Sequence, residues 1–301
     1  MDFNRFSPAI LMAVSLLGQI SWMFLTTLFS RRKLRGPSDV YLLTMASSFV
    51  TTAVMLLYFL TDIKWSVYTL FIGIIFGLFT ITATLFSTLA ILEGPISLTR
   101  ILLNLSTLIA AFSGLIFWNE SIAPLTYAGL TLLVVSFLLC TAKEKDGKKG
   151  TAKWILCILL AITGSAGLGI LQKIHQLSDF SDELPFLMLV AFAVSDISAA
   201  VMYIRQRKKD QEVQKKKLPT VYFVVTCIVC GVGNSLNYIL NTYLCGVIDT
   251  AIFFPLVNGI PMLAALLLSF LVFREKLEKK QLLGFIIGMA AMVCLCVSNM
   301  I

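Results

Sequence analysis

Apolar residues in this chain form long, nearly uninterrupted runs, and polar residues are concentrated in the short segments between them. A membrane-spanning helix needs about 20 mostly apolar residues, whereas the strands of a membrane barrel are about half as long and alternate in polarity. The runs predict ten helical spans, at Ser7–Ser30, Val40–Leu60, Val67–Leu92, Ile96–Trp118, Leu125–Cys140, Trp154–Lys173, Leu184–Ile204, Val221–Leu244, Val247–Phe273 and Leu277–Val297. The pattern therefore indicates an all-α polytopic membrane protein with ten transmembrane helices.

The overall composition excludes an ordinary soluble domain. The chain is 58% hydrophobic and its mean hydropathy is +0.90, so it has too little polar surface to cover its apolar side chains in water. The longest connectors, Thr141–Lys153 and Arg205–Pro219, leave no room for a soluble catalytic domain. The chain has no G-x-x-x-x-G-K-S/T phosphate loop and a single histidine, so we expect no ATP hydrolysis, no cofactor and no metal site.

The net charge of +8 is distributed according to the predicted spans. Twenty of the 24 Lys and Arg residues lie in the loops after spans one, five, seven and nine, or within a few residues of them. The opposite side carries acids such as Glu120 and Asp182. Because basic loops stay in the cytoplasm, we expect both termini outside a plasma membrane, most simply the bacterial inner membrane. This distribution favours contact with anionic lipid headgroups over a nucleic-acid partner.

The second half of the chain repeats the first. An apolar run opened by a glycine is followed by Glu120 in one half and by Glu275 in the other, and a further glycine lies nine residues beyond each glutamate. Equivalent loops carry opposite charge, because each half has an odd number of spans and inserts in the opposite orientation. We predict two inverted five-helix repeats, residues 1–142 and 153–301, joined by a basic cytoplasmic linker at 143–152. Inverted repeats are typical of secondary transporters.

Three local motifs accompany the five-plus-five spans: Gly94-Pro95-x-Ser97-Leu98-Thr99 leading into span four, Asn119-Glu120 at its exit, and the segment from Phe273-x-Glu275-Lys276-Leu277 to Gly284. Together they resemble the EamA-type members of the drug/metabolite transporter superfamily over essentially the whole chain. The resemblance implies that spans one, three, four, six, eight and nine surround a central cavity, with spans five and ten at its ends. It also implies export or exchange of small metabolites without ATP.

The chain departs from this family in two respects. Many members are basic after even-numbered spans and this chain is basic after odd-numbered ones, so either it inserts in the other orientation or the span count differs by one. The related small multidrug pumps carry a carboxylate in their first helix, where this chain offers only Gln19.

Polar side chains inside spans are candidates for function, because they are expensive to place in a bilayer. Arg100 lies four residues into span four, and Asn104 is one turn further along the same face. A guanidinium and an amide facing a cavity would hold a substrate carboxylate or phosphate. Alternatively, Arg100 extends to the cytoplasmic headgroups or pairs with Glu93.

Spans one, eight and nine carry further candidates. The three asparagines of span eight lie on one helical stripe, and such amides either line a water-filled pathway or hold helices together. Span nine has prolines on both sides of its asparagine, which either break the helix at a substrate site or only kink it. The candidate substrate contacts of these spans are Gln19, Trp22, Asn234, Asn237, Asn241 and Asn258.

Three other features have weaker functional interpretations. Asp196 lies twelve residues into span seven and is the candidate for coupling to a proton or another ion, although the family resemblance places span seven outside the cavity. His175, near the outer end of span six, is interpreted as an interfacial residue with no special role. Cys227-x-x-Cys230 is interpreted as packing and not as a redox pair, since thiols in membrane helices pack as small hydrophobes.

These observations favour a secondary-active exporter or exchanger of a small organic metabolite, such as an amino acid or an aromatic or amphipathic compound. A flippase for a lipid-linked carrier or head group is the alternative within the family. An intramembrane enzyme is disfavoured by the single histidine and the scattered acids. We expect a monomer or homodimer, with a small-molecule substrate and membrane lipids as its partners.

Overall fold

The computed structural model describes residues 6–33, 37–93, 96–120, 123–140, 151–209, 220–272 and 279–298, apart from some side chains that include Arg100. The regular structure of these residues is helical. The helices are α1 (Pro8–Lys33), α2 (Pro37–Phe59), α3 (Val67–Glu93), α4 (Ile96–Phe117), α5 (Pro124–Cys140), α6 (Ala152–Gln176), α7 (Leu184–Lys209), α8 (Thr220–Val247), α9 (Thr250–Leu271) and α10 (Lys279–Ser298). A short 3-10 helix, Ser181–Glu183, precedes α7.

Seven of these helices contain apolar stretches long enough to cross a membrane. Three shorter apolar helices accompany them, at Met45–Phe59, Leu102–Phe117 and Pro124–Cys140. The prediction of a multi-pass helical membrane protein is confirmed, whereas the count of ten spans stays a prediction.

The predicted spans match the helices to within a few residues, with one informative error. Span nine was predicted to begin at Val247, but in the structure α8 ends there and α9 begins only at Thr250. The residues across this break are largely apolar, so hydropathy does not reveal it. Asp249 stands at the N-cap of α9 in an extended conformation, which ends the preceding helix.

The helices group into two compact units, and each unit combines parts of both sequence halves. Unit 1 comprises residues 1–81 and 175–243, and unit 2 comprises residues 82–174 and 244–301. In unit 1 α2 packs against α7, and in unit 2 α4 packs against α9 and α5 against α10. Each of these pairs joins helices that are five apart in chain order. The two repeats at 1–142 and 153–301, and their inverted orientation, stay predictions.

Small residues allow close helix packing in unit 1. A Cβ at Gly73 or Gly77 of α3 would collide with Val190 or Val194 of α7. Tyr238 of α8 makes an edge-on aromatic contact with Phe192 of α7, with ring centroids 4.9 Å apart. Such packing holds membrane helices together where no hydrophobic driving force acts between them.

Unit 2 is held by small and hydroxyl residues between α5 and α10. Ser136 Oγ donates a hydrogen bond of 2.7 Å to the carbonyl oxygen of Gly284, and the hydroxyls of Thr126 and Ser298 lie 2.6 Å apart. Gly129 leaves room for the side chain of Leu295. These contacts fix α5 against α10 and leave α4, α6 and α9 to carry the polar groups described next.

Candidate functional site

Four polar side chains of α1 and α8 form a hydrogen-bonded group in unit 1, which we call the amide cluster: Ser15, Gln19, Asn237 and Asn241. Ser15 Oγ donates to Asn241 Oδ1 over 2.7 Å. Asn237 Nδ2 donates to Ser15 Oγ and to Gln19 Oε1, each over 3.2 Å. Ser15, Asn237 and Asn241 are buried, so the cluster holds α1 to α8.

The remaining candidates of α1 and α8 are more open. Trp22 is 37% exposed, and its carbonyl oxygen accepts a long hydrogen bond of 4.0 Å from the thiol of Cys230. Asn234, one turn before the amide cluster, is partly exposed. The stripe predicted on span eight therefore divides into two buried amides and one amide at the edge of the packed surface.

Asn258 is an exposed polar residue on an otherwise buried stretch of α9. Ala251–Val257 and Gly259 are all buried, whereas Asn258 is exposed. Its Nδ2 donates a hydrogen bond of 3.0 Å to the carbonyl oxygen of Phe254. The helix continues through both Pro255 and Pro261, but Pro261 has no N–H and leaves the carbonyl of residue 257 without its helical donor.

Asn104 of α4 faces α9 in the same unit. Its Nδ2 lies 3.9 Å from the sulfur of Met262, one turn beyond Asn258. Arg100 lies one turn earlier on α4, but its side chain is outside the described part of the chain. Glu93, the alternative partner proposed for Arg100, forms an ion pair with Lys153.

Asp196 of α7 is buried against α2 in unit 1. The carboxylate is on a residue only 5% exposed, and its Oδ2 accepts a hydrogen bond of 2.6 Å from Thr52 Oγ1. Its Oδ1 has no hydrogen-bond partner among the described residues. Among the described residues, one oxygen of this buried carboxyl group is therefore hydrogen-bonded and the other is not.

The interpretation of His175 as an interfacial residue is wrong, because its side chain is fully buried in the protein. Its Nε2 lies 3.4 Å from Thr69 Oγ1 and its Nδ1 lies 3.3 Å from Gln176 Nε2. Nearby, Ser66 Oγ donates a hydrogen bond of 2.6 Å to Glu183. The histidine therefore belongs to a hydrogen-bonded contact between the start of α3 and the chain before α7.

All seven cysteines lie in the described part of the chain and all are free thiols. Cys227 packs against Leu43, with Ala46 and Phe223 beside it, and Cys230 is fully buried. The packing interpretation of Cys227 and Cys230 agrees with these surroundings.

Sequence reasoning missed a buried ion pair between Glu120 and Lys173 in unit 2. Lys173 Nζ lies 3.0 Å from Glu120 Oε1, and the two side chains are only 6% and 8% exposed. The turn after α4 creates this contact: Asn119 has a positive φ of 52°, and the N–H of Glu120 donates to the carbonyl of Gly114. The helix thus ends with an asparagine in the left-handed conformation, and this asparagine before the glutamate is the available sequence signal.

The second half of the chain matches a known family. Residues 152–297, which cover α6 to α10, match the model of the EamA-like transporter family. A crystal structure described only as "Crystal structure of protein" shares the fold, with a TM-score of 0.68 over 96% of this chain and 98% of that chain, at 15% sequence identity. A search of curated proteins found no match. Over residues 152–297 this match confirms the resemblance to EamA-type transporters found in the sequence.

Proposed function

We propose that this chain is a secondary-active transporter that exports or exchanges a small organic metabolite by alternating access. The EamA-like match indicates a membrane transporter of small molecules, and the long apolar helices agree with a multi-pass membrane protein. The proposal adds the substrate class, an amino acid or an aromatic or amphipathic compound. It also adds the plasma membrane as the location, with both termini outside, on the basis of the basic loops.

The observation that carries the proposal is the exposure of Asn258 in the middle of α9. An amide that faced lipid at this depth would be costly, because lipid offers no hydrogen-bonding partner. Its neighbours along the helix are buried, so the exposure is local. The carbonyl of residue 257, released by Pro261, adds an acceptor at the same level. A polar, open position of this kind fits a substrate pathway in unit 2.

We assign substrate contacts to Asn258, Asn104 and Arg100 of unit 2. Asn104 is partly exposed and faces α9 one turn beyond Asn258. In unit 1, Asn234, Gln19 and Trp22 keep exposed surface, while Asn237 and Asn241 support them from within the amide cluster. These groups are mostly neutral, so they suit a substrate with polar groups and an apolar body.

We further propose that Asp196 carries the coupling ion, and that this ion is a proton. A buried, ionised carboxylate with few hydrogen bonds is costly, and this cost favours binding of a proton to form the neutral acid. Thr52 Oγ1 supplies the single hydrogen bond.

The test measures thermal stabilisation of the full-length protein in detergent against amino acids, nucleosides, sugar phosphates, cationic drugs and isoprenoid lipids. A ligand at a hundredfold excess over its Kd stabilises the folded state by about 2.7 kcal/mol. We expect a soluble metabolite to raise the unfolding midpoint, and Asn258→Ala and Asn104→Ala to abolish the rise. Thr131→Ala is the matched control, because Thr131 is exposed on α5 and, within the described part of the chain, its hydroxyl donates to the carbonyl of Tyr127 on its own helix.

Counterflow of the same compound in proteoliposomes then tests transport directly. Stabilisation by isoprenoid lipids alone would instead support the flippase. A soluble ligand that stabilises Asn258→Ala and wild type equally would overturn the site assignment.

A further inference from the structure

Two hydrogen-bond donors and one ammonium group converge on the carboxylate of Glu120 in unit 2. Besides the ammonium of Lys173, both the N–H and the hydroxyl of Thr250 donate to Glu120 Oε2, over 2.8 and 2.7 Å. The donors come from α6 and α9, and the carboxylate comes from the turn after α4. Glu120 Oε2 therefore accepts two hydrogen bonds, whereas Oε1 faces the Lys173 ammonium as an ion pair and has no hydrogen-bond partner among the described residues.

The contact lies where α8 ends and α9 begins. Thr250 is the first residue of α9, and Asp249 at the N-cap makes no side-chain capping bond, so Glu120 supplies the acceptor that a cap normally provides. Lys173 Nζ also donates a hydrogen bond of 3.3 Å to the carbonyl of Ile248, just past α8. The negative group therefore lies at a helix N-terminus and the positive group at a helix C-terminus, as the helix dipoles favour.

The end of α4 is shaped to admit this carboxylate. A Cβ at Gly114 would collide with both Glu120 Oε2 and Thr250 Oγ1. Thr250 Oγ1 also lies 3.0 Å from the carbonyl of Ala111 one turn earlier. The space beside Gly114 is thus occupied by the carboxylate of Glu120 and the hydroxyl of Thr250.

We propose that Lys173 and Thr250 form a carboxylate-binding site that the chain fills with its own Glu120. The filled site sets the start of α9, and through the rigid helix it sets the position of Asn258, about 12 Å further along the axis. The consequence for Asn258 rests on the proposed transport function, whereas the binding site itself does not. Glu120 and Lys173 are accordingly positioning residues.

The chain contains a native reporter of this site. Cys245 lies three residues before Ile248, whose carbonyl oxygen accepts the hydrogen bond of Lys173. The thiol of Cys245 is fully buried and lies 4.0 Å from the carbonyl of Gly169. Opening of the α8–α9 junction would expose it. The rate of maleimide labelling at Cys245, measured by peptide mass spectrometry on the full-length protein in detergent, therefore reports how often the junction opens.

The experiment is chemical rescue by formate. Glu120→Ala removes the internal carboxylate and is expected to speed Cys245 labelling by about tenfold or more, since hydrogen bonds to a charged group are lost. About 0.1 M sodium formate should then slow labelling several-fold by binding in the vacated site. The same concentration of sodium chloride, and formate on wild type, should change little. Glu120→Ala combined with Lys173→Met should show no response to formate.

Two results would overturn the proposal: no effect of formate on folded Glu120→Ala, or an equal effect when Lys173 is also replaced. If Glu120→Ala does not purify as a folded protein, formate in the purification buffer should restore its yield, and failure to do so counts against the site. None of these measurements needs a substrate. A positive rescue with no ligand found in the thermal panel would therefore retain the site and reject only the proposed function.

Discussion

Gly18 of α1 and Gly233 of α8 lie directly against each other's backbone: a Cβ on either residue would be 2.9 Å from the carbonyl oxygen of the other. Ser15, one turn from Gly18, donates its 2.7 Å hydrogen bond to Asn241, two turns from Gly233, across the same pair of helices. The amide cluster therefore depends on the absence of side chains at these two glycines.

Gly18→Ala or Gly233→Ala should lower the free energy of unfolding by about 1–3 kcal/mol, because the new methyl group forces the two helices apart. The double variant should cost less than the sum, since one displacement accommodates both methyl groups. Thermal unfolding in detergent measures both effects. Val14→Ala on the exposed side of α1 is the control, and an unchanged midpoint for Gly18→Ala would contradict the close packing.

Replacing one member of the buried ion pair should lower the free energy of unfolding more than replacing both members. Lys173→Met leaves the Glu120 carboxylate without its counter-ion and should destabilise the protein by about 3–5 kcal/mol. Adding Glu120→Gln should recover most of this loss, because glutamine still accepts the hydrogen bonds of Thr250 and carries no charge. Denaturant unfolding of the two single variants and the double variant measures the coupling. Additive losses would show that the two side chains do not interact.

Replacing a buried asparagine and replacing an exposed one should have different effects on stability. Asn241→Leu should destabilise the protein by about 1–3 kcal/mol, because it removes the acceptor of the buried Ser15 hydroxyl. Asn258→Leu should change stability by no more than about 0.5 kcal/mol, because its side chain is exposed. The unfolding midpoints of the two variants decide this. Equal losses would mean that Asn258 supports packing and not a pathway.

Asp196→Asn should leave the unfolding midpoint unchanged or raise it at neutral pH. Asparagine still accepts the hydrogen bond of Thr52, and it avoids placing a charge in apolar surroundings. Thr52→Val is the matched control, since it removes the donor and leaves the carboxyl group, and it should lower the midpoint. In proteoliposomes, substrate uptake by Asp196→Asn should no longer respond to a pH gradient, whereas counterflow should continue.

Asp249 should make the protein less stable as the pH rises. Burial raises the pKa of this carboxyl group, the nearby Glu120 raises it further, and Lys173 acts in the opposite direction. Because the folded state then binds the proton more tightly than the unfolded state, stability is lost as the pH rises through the interval between the two pKa values. Asp249→Asn retains a good N-cap and removes this loss.

The unfolding midpoint of Asp249→Asn should therefore exceed that of wild type at neutral pH. The two midpoints should converge at a pH below the ordinary pKa of an aspartate. Thermal unfolding of both proteins between about pH 3 and pH 8 covers that range. A constant difference across the series would show that Asp249 titrates normally.

Hydropathy was enough to predict the helices, because a bilayer imposes its length requirement on each segment separately. Span three, for example, was predicted to begin at Val67 and the helix begins there. The break between α8 and α9 was missed for the complementary reason. The start of α9 is in contact with the carboxylate of Glu120, which is 130 residues away from Thr250 along the chain, and no local pattern of apolar residues records such a contact.

The polar candidate residues could likewise be located from the sequence, but their roles could not. Asparagines inside apolar runs are conspicuous, so Asn104, Asn237, Asn241 and Asn258 could all be found from sequence. Their roles differ because of neighbours on other helices: Asn241 meets Ser15 of α1, whereas Asn258 meets only its own helix among the hydrogen bonds described. Helical periodicity indicates the face on which a residue lies, but it does not indicate what occupies the space opposite.

The sequence by itself determined that the chain is helical and multi-pass and that it resembles EamA-type transporters, because these properties follow from apolar run length and short motifs that are local in the chain. Only the tertiary structure decided which polar groups are paired. It joined Glu120 to Lys173, buried His175 and left Oδ1 of Asp196 without a hydrogen bond among the described residues. The reason is physical: the energy of a buried charge or amide depends on partners within about 4 Å, and packing, not sequence distance, brings those partners together.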